Sequence, residues 1–307
     1  MKNVVPYVCS IRYIGATSIN CCIANRSLMN TQEIMSLSLK LSGFDHVPAD
    51  SCIYNPGDNI HRVLFGIDIG REDLEYAKKN GFDLVISHHP PYMIVDEGFF
   101  QVLDRHRELL VSAGVDSVTA QRVSEENKTF WRYFFQSIDS VKTNQEVMTE
   151  AQDLDIALMN VHLSCDEIGR VILQRIAGQL GQEKRVANLI ELYSKIPEIQ
   201  KSDEKVRLIC GSLDKKLGKV MVIHGAGANG GYPVANALFE SGVNTVVYIH
   251  LFDFQKEQED LLKKENKGNL IVTGHYGSDS IGINPLIDAL EVRGLEIVCC
   301  NNLIRNK

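Results

Sequence analysis

Two adjacent histidines stand at the end of an apolar run in the first third of the chain. The segment DLVISHHPP (83–91) has the apolar residues of a buried strand, and His88 and His89 follow them directly. Imidazoles bind ions such as Zn and Fe, and two neighbouring imidazoles suit two ions better than one. Pro90 and Pro91 stiffen the following loop, which lowers the entropic cost of holding the ligands. The pattern predicts one corner of a metal site, and the alternative is a loop with two surface histidines.

Two later segments each carry a histidine and an aspartate four residues apart. They are VHLSCD, with His162 and Asp166, and GHYGSD, with His275 and Asp279. Each segment follows an apolar run and precedes a helical pattern, so each aspartate can favour a helix N-terminus or bind a metal ion. Taken alone, each segment leaves both interpretations open. Together with the histidine pair they favour Zn, Fe or Mn, and two such ions can activate water and polarise a substrate oxygen.

A glycine-rich loop, HGAGANGG (224–231), also lies between a strand pattern and a helix pattern. Residues 225–230 have the G-x-G-x-x-G spacing of dinucleotide-binding loops. No acidic residue stands convincingly about 20 residues further on. A tight turn is therefore the favoured interpretation, and phosphate binding is the alternative. His250 and Asp253 are interpreted as a near-surface pair. The isolated histidines are assigned no role: His46, His61 and His106.

The elements that must position these residues alternate between apolar strands and helices. RVLFGIDI (62–69), a helix over 71–80 and FDLVIS (82–87) predict parallel strands joined by a right-handed crossover. Ligands of such sheets sit at the carboxyl ends of the strands, where the histidine pair stands. The same alternation recurs over residues 219–307. We therefore predict an α/β protein with two lobes whose sheets are mixed or parallel.

The chain divides into several parts by these patterns. Asn30 and Glu33 have capping-box spacing for a first helix, and the residues before them contain no aspartate or glutamate. Five aromatic residues within 130–135 favour a packed or interface-covering helix over a cofactor stack. The predicted parts are an extension outside the fold (1–28), a first lobe (29–180) with a helical insert (98–150), a connection (181–218) and a second lobe (219–307).

Composition limits the classes of function. The chain has 307 residues, 44% of them apolar, and a net charge of −7, which does not favour binding to the phosphates of nucleic acid. No apolar run reaches the about 20 residues that a membrane span needs. Eight cysteines occur without a C-x-x-C pair, which indicates reduced thiols and a cytoplasmic protein.

In this order, GIDI, AKKNGFDLVISHHP, VHLSCD and VTGHYGSDSIG resemble the Nif-three-like family, also known as type 2 GTP cyclohydrolase I or dinuclear metal centre hexameric protein. The resemblance covers roughly residues 30–300. It implies two α/β lobes, two divalent metal ions per chain (Zn, Fe or Mn) in the cleft between them, and a homo-hexamer. His162 is implied as a supporting residue near the ions. The implied ligands are His88, His89, Asp166, His275 and Asp279.

Three features depart from the family pattern. The last ligand is usually glutamate, whereas Asp279 has a side chain one methylene shorter. The segment between His89 and Asp166 is longer than the family pattern because it contains the aromatic helical insert. The strand at YIHLFD (248–253) lacks the threonine–glycine–acid element associated with the second lobe.

Two functions remain open at this point. The first is a metal-dependent hydrolase that acts on a nucleotide or related small molecule, like a type 2 GTP cyclohydrolase I. His162 would then be its catalytic proton shuttle or a substrate contact. The second is a non-enzymatic metal-binding or regulatory assembly that binds a protein partner. The aromatic insert and the shorter Asp279 favour the second.

Overall fold

The computed structural model describes residues 28–91, 99–137, 145–225, 230–251 and 256–306. The predicted extension 1–28, apart from Leu28, and Asp253 lie outside the described residues. Within these residues, no helix is long and apolar enough to cross a membrane.

A first sheet of five strands combines parallel and antiparallel pairing. Across the sheet the strands are β1 (Cys52–Asn55), β4 (Ala157–Asn160), β3 (Leu84–Ser87), β2 (Arg62–Gly66) and β9 (Glu296–Cys300). Only β1 runs antiparallel to its neighbour; β4, β3, β2 and β9 are parallel.

A second sheet of four strands follows the same plan. Across the sheet the strands are β5 (Arg207–Cys210), β8 (Asn269–Val272), β7 (Thr245–Tyr248) and β6 (Val220–Val222). The edge strand β5 is antiparallel to β8, and the other three are parallel. The predicted α/β fold with mixed sheets is confirmed.

Helices cover both faces of both sheets. They are α1 (Thr31–Ser42), α2 (Arg71–Lys79), α3 (Asp104–Ala113), α4 (Ser117–Ser137), α5 (Gln145–Asp153), α6 (Leu163–Gly178), α7 (Val186–Ser194), α8 (Pro197–Lys201), α9 (Gly231–Glu240), α10 (Lys256–Glu265) and α11 (His275–Val292), with a 3-10 turn at Phe99–Leu103.

Local sequence signals explain several of these boundaries. The predicted capping box begins α1: the side chain of Asn30 accepts from the N–H of Glu33, and the Glu33 carboxylate accepts from the N–H of Asn30. Gly43 ends the same helix with a φ of 80°, a conformation that glycine adopts without strain. Successive side chains of β2 face opposite sides of the sheet: Phe65 packs towards α1 and α11, and Leu64 packs towards α2 and α5.

The end of the chain returns to the first sheet. The sequence pattern assigns all of residues 219–307 to a second lobe. However, β9 pairs with β2, and Ile283 and Leu286 of α11 pack in the core of the first sheet. Strand pairing is set by contacts between distant parts of the chain, and the apolar pattern of a strand does not specify its partner. Helix α11 therefore begins next to the second sheet and ends against the first.

The helical insert packs against the second sheet and against the start of α6. Leu110 of α3 and Val123 of α4 lie in the core of the second sheet. Trp131 is 3% exposed and packs with Phe100 and with Leu163, the first residue of α6. The insert is thus a packed helical layer that supports the start of α6.

Candidate metal centre

Histidines follow five of the strands and converge on one place. His88 and His89 follow β3, and the other strands lead to His162 (β4), His224 (β6), His250 (β7) and His275 (β8). The ring centroids of His88 and His162 are 4.9 Å apart, and those of His89 and His275 are 5.1 Å apart. Because His89 follows the first sheet and His275 the second, the carboxyl ends of the two sheets meet at this cluster.

Two glycines allow α6 and α11 to bring their aspartates together. Gly169 and Gly282 each stand three residues after an aspartate, Asp166 and Asp279. A Cβ added at Gly282 would lie 2.2 Å from the carbonyl oxygen of Cys165, and one added at Gly169 would lie 3.4 Å from the Cα of Gly282. Only glycine permits this close helix contact, and the contact places both carboxylates beside His88.

Neither aspartate is the N-cap residue of its helix, although Asp166 lies in the first turn of α6, where its charge also favours the helix N-terminus. Neither α6 nor α11 has a side-chain hydrogen bond at its N-cap residue, and both carboxylates face imidazoles instead. The N-terminus of α11 is held by Glu204, whose carboxylate accepts from the backbone N–H groups of His275 and Tyr276. The helix end is therefore satisfied from outside the cluster, and Asp279 stays available to a ligand.

One oxygen of each aspartate faces His88. Its Nε2 atom lies 3.2 Å from Oδ1 of Asp166 and 3.8 Å from Oδ1 of Asp279. These separations exceed the about 2.7–2.9 Å of a charge-assisted hydrogen bond. They are close to the about 3.4 Å between ligands of a tetrahedral ion with bonds of about 2.1 Å. Nε2 of His88 and Oδ1 of Asp166 are also buried without a hydrogen-bond partner, as expected of atoms that bind a cation.

The second oxygen of Asp279 faces a different pair of histidines. Oδ2 lies 3.3 Å from Nε2 of His275 and 3.6 Å from Nε2 of His89. The carboxylate therefore stands between two groups of imidazoles, one on each oxygen. We call His88, His224, Asp166 and Asp279 the inner group, and His89, His275 and Asp279 the outer group.

Hydrogen-bond acceptors outside the cluster orient the imidazoles. Nδ1 of His88 donates to the carbonyl of Val161 at 3.0 Å, because a carbonyl can only accept. Nδ1 of His89 lies 2.7 Å from Oδ1 of Asp68. With Nδ1 occupied in this way, Nε2 is directed into the cluster, which is the usual arrangement of metal-binding histidines.

The electrostatics of the inner group favour ionised carboxylates. Burial by itself would raise the pKa of Asp166 and Asp279, but the facing histidines outweigh burial and hold both pKa values well below the usual range. Burial lowers the pKa of His88. Burial also opposes the charged form of His224, yet Asp166 and Asp279 raise its pKa to about 9. The cluster thus contains carboxylates that a divalent cation would neutralise and imidazoles whose protons it would displace.

The chain matches none of the known family models and none of the curated proteins. Among solved structures it is 38% identical to the NIF3 superfamily protein from Sphaerobacter thermophilus, with a TM-score of 0.81, over 90% of this chain and 99% of that one. The chain belongs to the NIF3 superfamily.

The reduced HcgD from Methanocaldococcus jannaschii is 15% identical to this chain (TM-score 0.57; 89% of this chain and 98% of that one covered). A Bacillus cereus protein related to NIF3 is 12% identical (TM-score 0.51; 89% and 96% covered). These two show the fold alone.

In this NIF3 superfamily chain, all the site residues predicted from the sequence meet in one cluster. Three overlapping sets place one ligand atom per residue within 4.8 Å of one another and could hold metal ions. The sets are His88–His89–His162, His89–His275–Asp279 and His88–Asp166–Asp279. Their assignment as ligands stays a prediction.

Two histidines at the cluster escaped the sequence analysis. His224 is 2% exposed and lies against both aspartates, although the glycines after it drew attention to phosphate binding instead. His250 was interpreted as near-surface, and its ring centroid is 4.4 Å from that of His275. Both follow buried strands, KVMVIH and VVYIH, as His88 does. A histidine just after a parallel strand was the signal that could have found them.

Two of the histidines that the sequence assigns no role make contacts outside the cluster. His46 is exposed, and the buried His106 contacts Asn127 in the helical insert. The segment from His224 to α9 connects strand β6 to a helix, as the favoured interpretation expects, and residues 226–229 lie outside the described residues.

Proposed function

We propose that this protein binds two divalent metal ions per chain and is a metal-dependent hydrolase of a nucleotide or related small molecule. The observation that carries the proposal is the position of Asp279, whose two oxygens face separate sets of imidazoles. One ion would be held by His88, Asp166 and Asp279. The other would be held by His89, His275 and Asp279.

Charge supports two ions rather than one. Asp166 and Asp279 lie within the cluster, while Asp68 contacts His89 and Asp50 contacts His162 from outside. Four carboxylates lie next to the imidazoles, and two divalent cations would balance their four negative charges once metal binding has displaced the imidazole protons. Zn, Fe and Mn suit this mixture of imidazole and carboxylate ligands. When bound, two such ions lower the pKa of a water molecule and polarise a substrate oxygen.

His162 is placed to hold or transfer a proton. Its Nδ1 atom lies 2.9 Å from Oδ2 of Asp50, and its Nε2 atom lies 3.8 Å from Oδ2 of Asp166. Asp50 stabilises the protonated ring and orients Nε2 towards the cluster, as the carboxylate partner of a general base does. We propose that His162 accepts a proton from water and donates it to the leaving group. The substrate class follows from the family resemblance of the sequence.

Turnover by the metal-loaded protein tests this function. The protein is loaded separately with Zn²⁺, Mn²⁺ and Fe²⁺ and assayed against a library of nucleotides and phosphoesters. We expect hydrolysis by at least one form, and we expect Asp166→Asn to reduce it to background, because the change removes a buried anion at nearly constant volume. Asp45→Asn is the control, because the Asp45 side chain is 96% exposed and contacts His46. Undiminished turnover by Asp166→Asn would refute the proposed role of the metal site.

We also propose that the chain forms a homo-hexamer. The sequence resemblance implies this assembly, and exposed apolar side chains on the helical insert support it, since Val118 is 77% and Tyr133 is 70% exposed. Light scattering coupled to size-exclusion chromatography should give six times the 34.3 kDa chain mass. Val118→Lys together with Tyr133→Lys should lower the assembly mass, and a wild-type monomer would contradict the proposal.

A further inference from the structure

His224 is the second histidine of the inner group, beside His88. Its Nε2 atom lies 3.3 Å from Oδ1 of Asp166 and 3.6 Å from Oδ1 of Asp279. The corresponding separations from His88 are 3.2 and 3.8 Å. Both imidazoles therefore stand at similar distances from the same two oxygen atoms. All four values lie near the about 3.4 Å expected between ligands of one tetrahedral ion.

Among the described residues, the ring of His224 contacts Asp166 and Asp279 at distances longer than a charge-assisted hydrogen bond. Both of its nitrogens are buried without a hydrogen-bond partner, and the residue is 2% exposed. An unsatisfied imidazole in the interior is unfavourable, so such a ring is retained where it binds something. Space for it is provided by Gly169, because a Cβ at that position would lie 3.0 Å from Cε1 of His224.

The inner and outer groups differ in access to solvent. The inner side chains are at most 4% exposed, whereas those of His89 and His275 in the outer group are 22% and 24% exposed. A closed site with four protein ligands is typical of a structural ion, and a site with three protein ligands keeps a position for water or substrate.

We propose that His224 is a fourth protein ligand of the inner ion, so that the inner ion is closed and substrate meets only the outer ion. This inference rests on the two-ion centre proposed above. His88 comes from the first sheet and His224 from the second, so the inner ion also joins the two sheets. Its role is to hold Asp279 and the sheet edges in place, while the outer ion faces the substrate.

Metal titration of His224→Gln tests the assignment without using activity. The apo-protein is titrated with Co²⁺, and the visible absorption of the bound cobalt and the stoichiometry are followed. The wild-type protein should bind two ions, the first with the intense bands of tetrahedral cobalt. His224→Gln should lose those bands and bind the inner ion at least about 100-fold more weakly. Even the loss of a residue that only contacts a ligand lowers metal affinity by about 10–100-fold. The outer ion should remain. His106→Gln, a change of a buried histidine in the insert, is the control and should bind as the wild type does.

The outcomes separate the two proposals. A wild-type protein that binds no cobalt, or only one ion, would refute the two-ion centre. Two ions in His224→Gln with wild-type affinity and spectrum would refute only the role of His224. A crystal structure of the wild-type protein with Zn²⁺, with the ions located by anomalous scattering, covers the case of a variant that does not fold. There we expect Nε2 of His224 at about 2.1 Å from the inner ion, and a separation beyond bonding distance would overturn the proposal.

Discussion

Asp279→Asn should remove both metal ions, whereas Asp166→Asn should remove only the inner one. Within the part of the chain that the structure describes, Asp279 faces both sets of imidazoles, through Oδ1 to His88 and through Oδ2 to His89 and His275. Asparagine has nearly the same volume, so the change removes the negative charge with little change in packing. The loss of a ligand should lower the binding affinity for each ion by more than the about 10–100-fold that is typical when a residue next to a ligand is changed.

Elemental analysis after dialysis against a weak chelator gives the number of ions per chain. We expect two for the wild type, one for Asp166→Asn and close to none for Asp279→Asn. Asp288→Asn is a matched control on the same helix, because the Asp288 side chain is 58% exposed and its contact is an ion pair with Arg305. Retention of one tightly bound ion by Asp279→Asn would show that this carboxylate does not serve both ions.

The same measurement on Asp279→Glu addresses the departure from the family pattern, in which this ligand is usually glutamate. Asp279 is 1% exposed, so the extra methylene must be accommodated within a packed core. The distances of 3.3 to 3.8 Å from Asp279 to the three imidazoles indicate that the shorter side chain already reaches both groups. We therefore expect Asp279→Glu to retain both ions, with lower thermal stability of the apo-protein.

Local patterns in the sequence predicted the elements that carry the site. The strand FDLVIS became β3, and the pair that follows it, His88 and His89, stands at the carboxyl end of a strand that is parallel to both of its neighbours. These features could be predicted because strand burial, helix capping and the position of ligands at strand ends are encoded over a few consecutive residues. Two later segments with a histidine and an aspartate four residues apart then connected this pair to distant parts of the chain.

What the sequence did not predict depends on contacts between distant segments. The distances from His224 to Asp166 and Asp279 place it in the cluster, whereas the glycines that follow it in the sequence suggested a different chemistry. Nothing in the sequence indicated that Asp50 contacts His162 or that Asp68 contacts His89. In both pairs the two residues are far apart along the chain, and no helix or strand period relates them. The pairing of β9 with β2 was missed for the same reason.

Close contact between α6 and α11 is a requirement of the cluster, and Gly282→Ala should disrupt it. The added Cβ would lie 2.2 Å from the carbonyl oxygen of Cys165. An ordinary contact needs at least about 3.2 Å, so the two helices must separate by about 1 Å. The new atom meets backbone, which cannot rotate away as a side chain does. We expect the free energy of unfolding to fall by at least about 2 kcal/mol, despite the helix propensity of alanine.

The metal site should respond to the same substitution more strongly than the fold does. Asp166 is one residue from Cys165, and Asp279 is three residues from Gly282, so separation of the helices moves the two carboxylates apart. Metal coordination tolerates deviations of only about 0.2 Å in ligand distance. Gly282→Ala should therefore lose the inner ion at temperatures at which the chain is still folded, as measured by circular dichroism beside elemental analysis.

Gly178→Ala is the matched control for this argument. Gly178 is the last residue of α6, and a Cβ added there meets nothing within 4 Å. Alanine should leave the metal content unchanged and raise the free energy of unfolding by up to about 1 kcal/mol, because it restricts the unfolded chain. If Gly282→Ala behaves like Gly178→Ala in both urea unfolding and metal content, close helix contact is not what holds Asp166 and Asp279 together. If stability falls equally in the presence and absence of metal while both ions remain bound, the contact supports the fold alone.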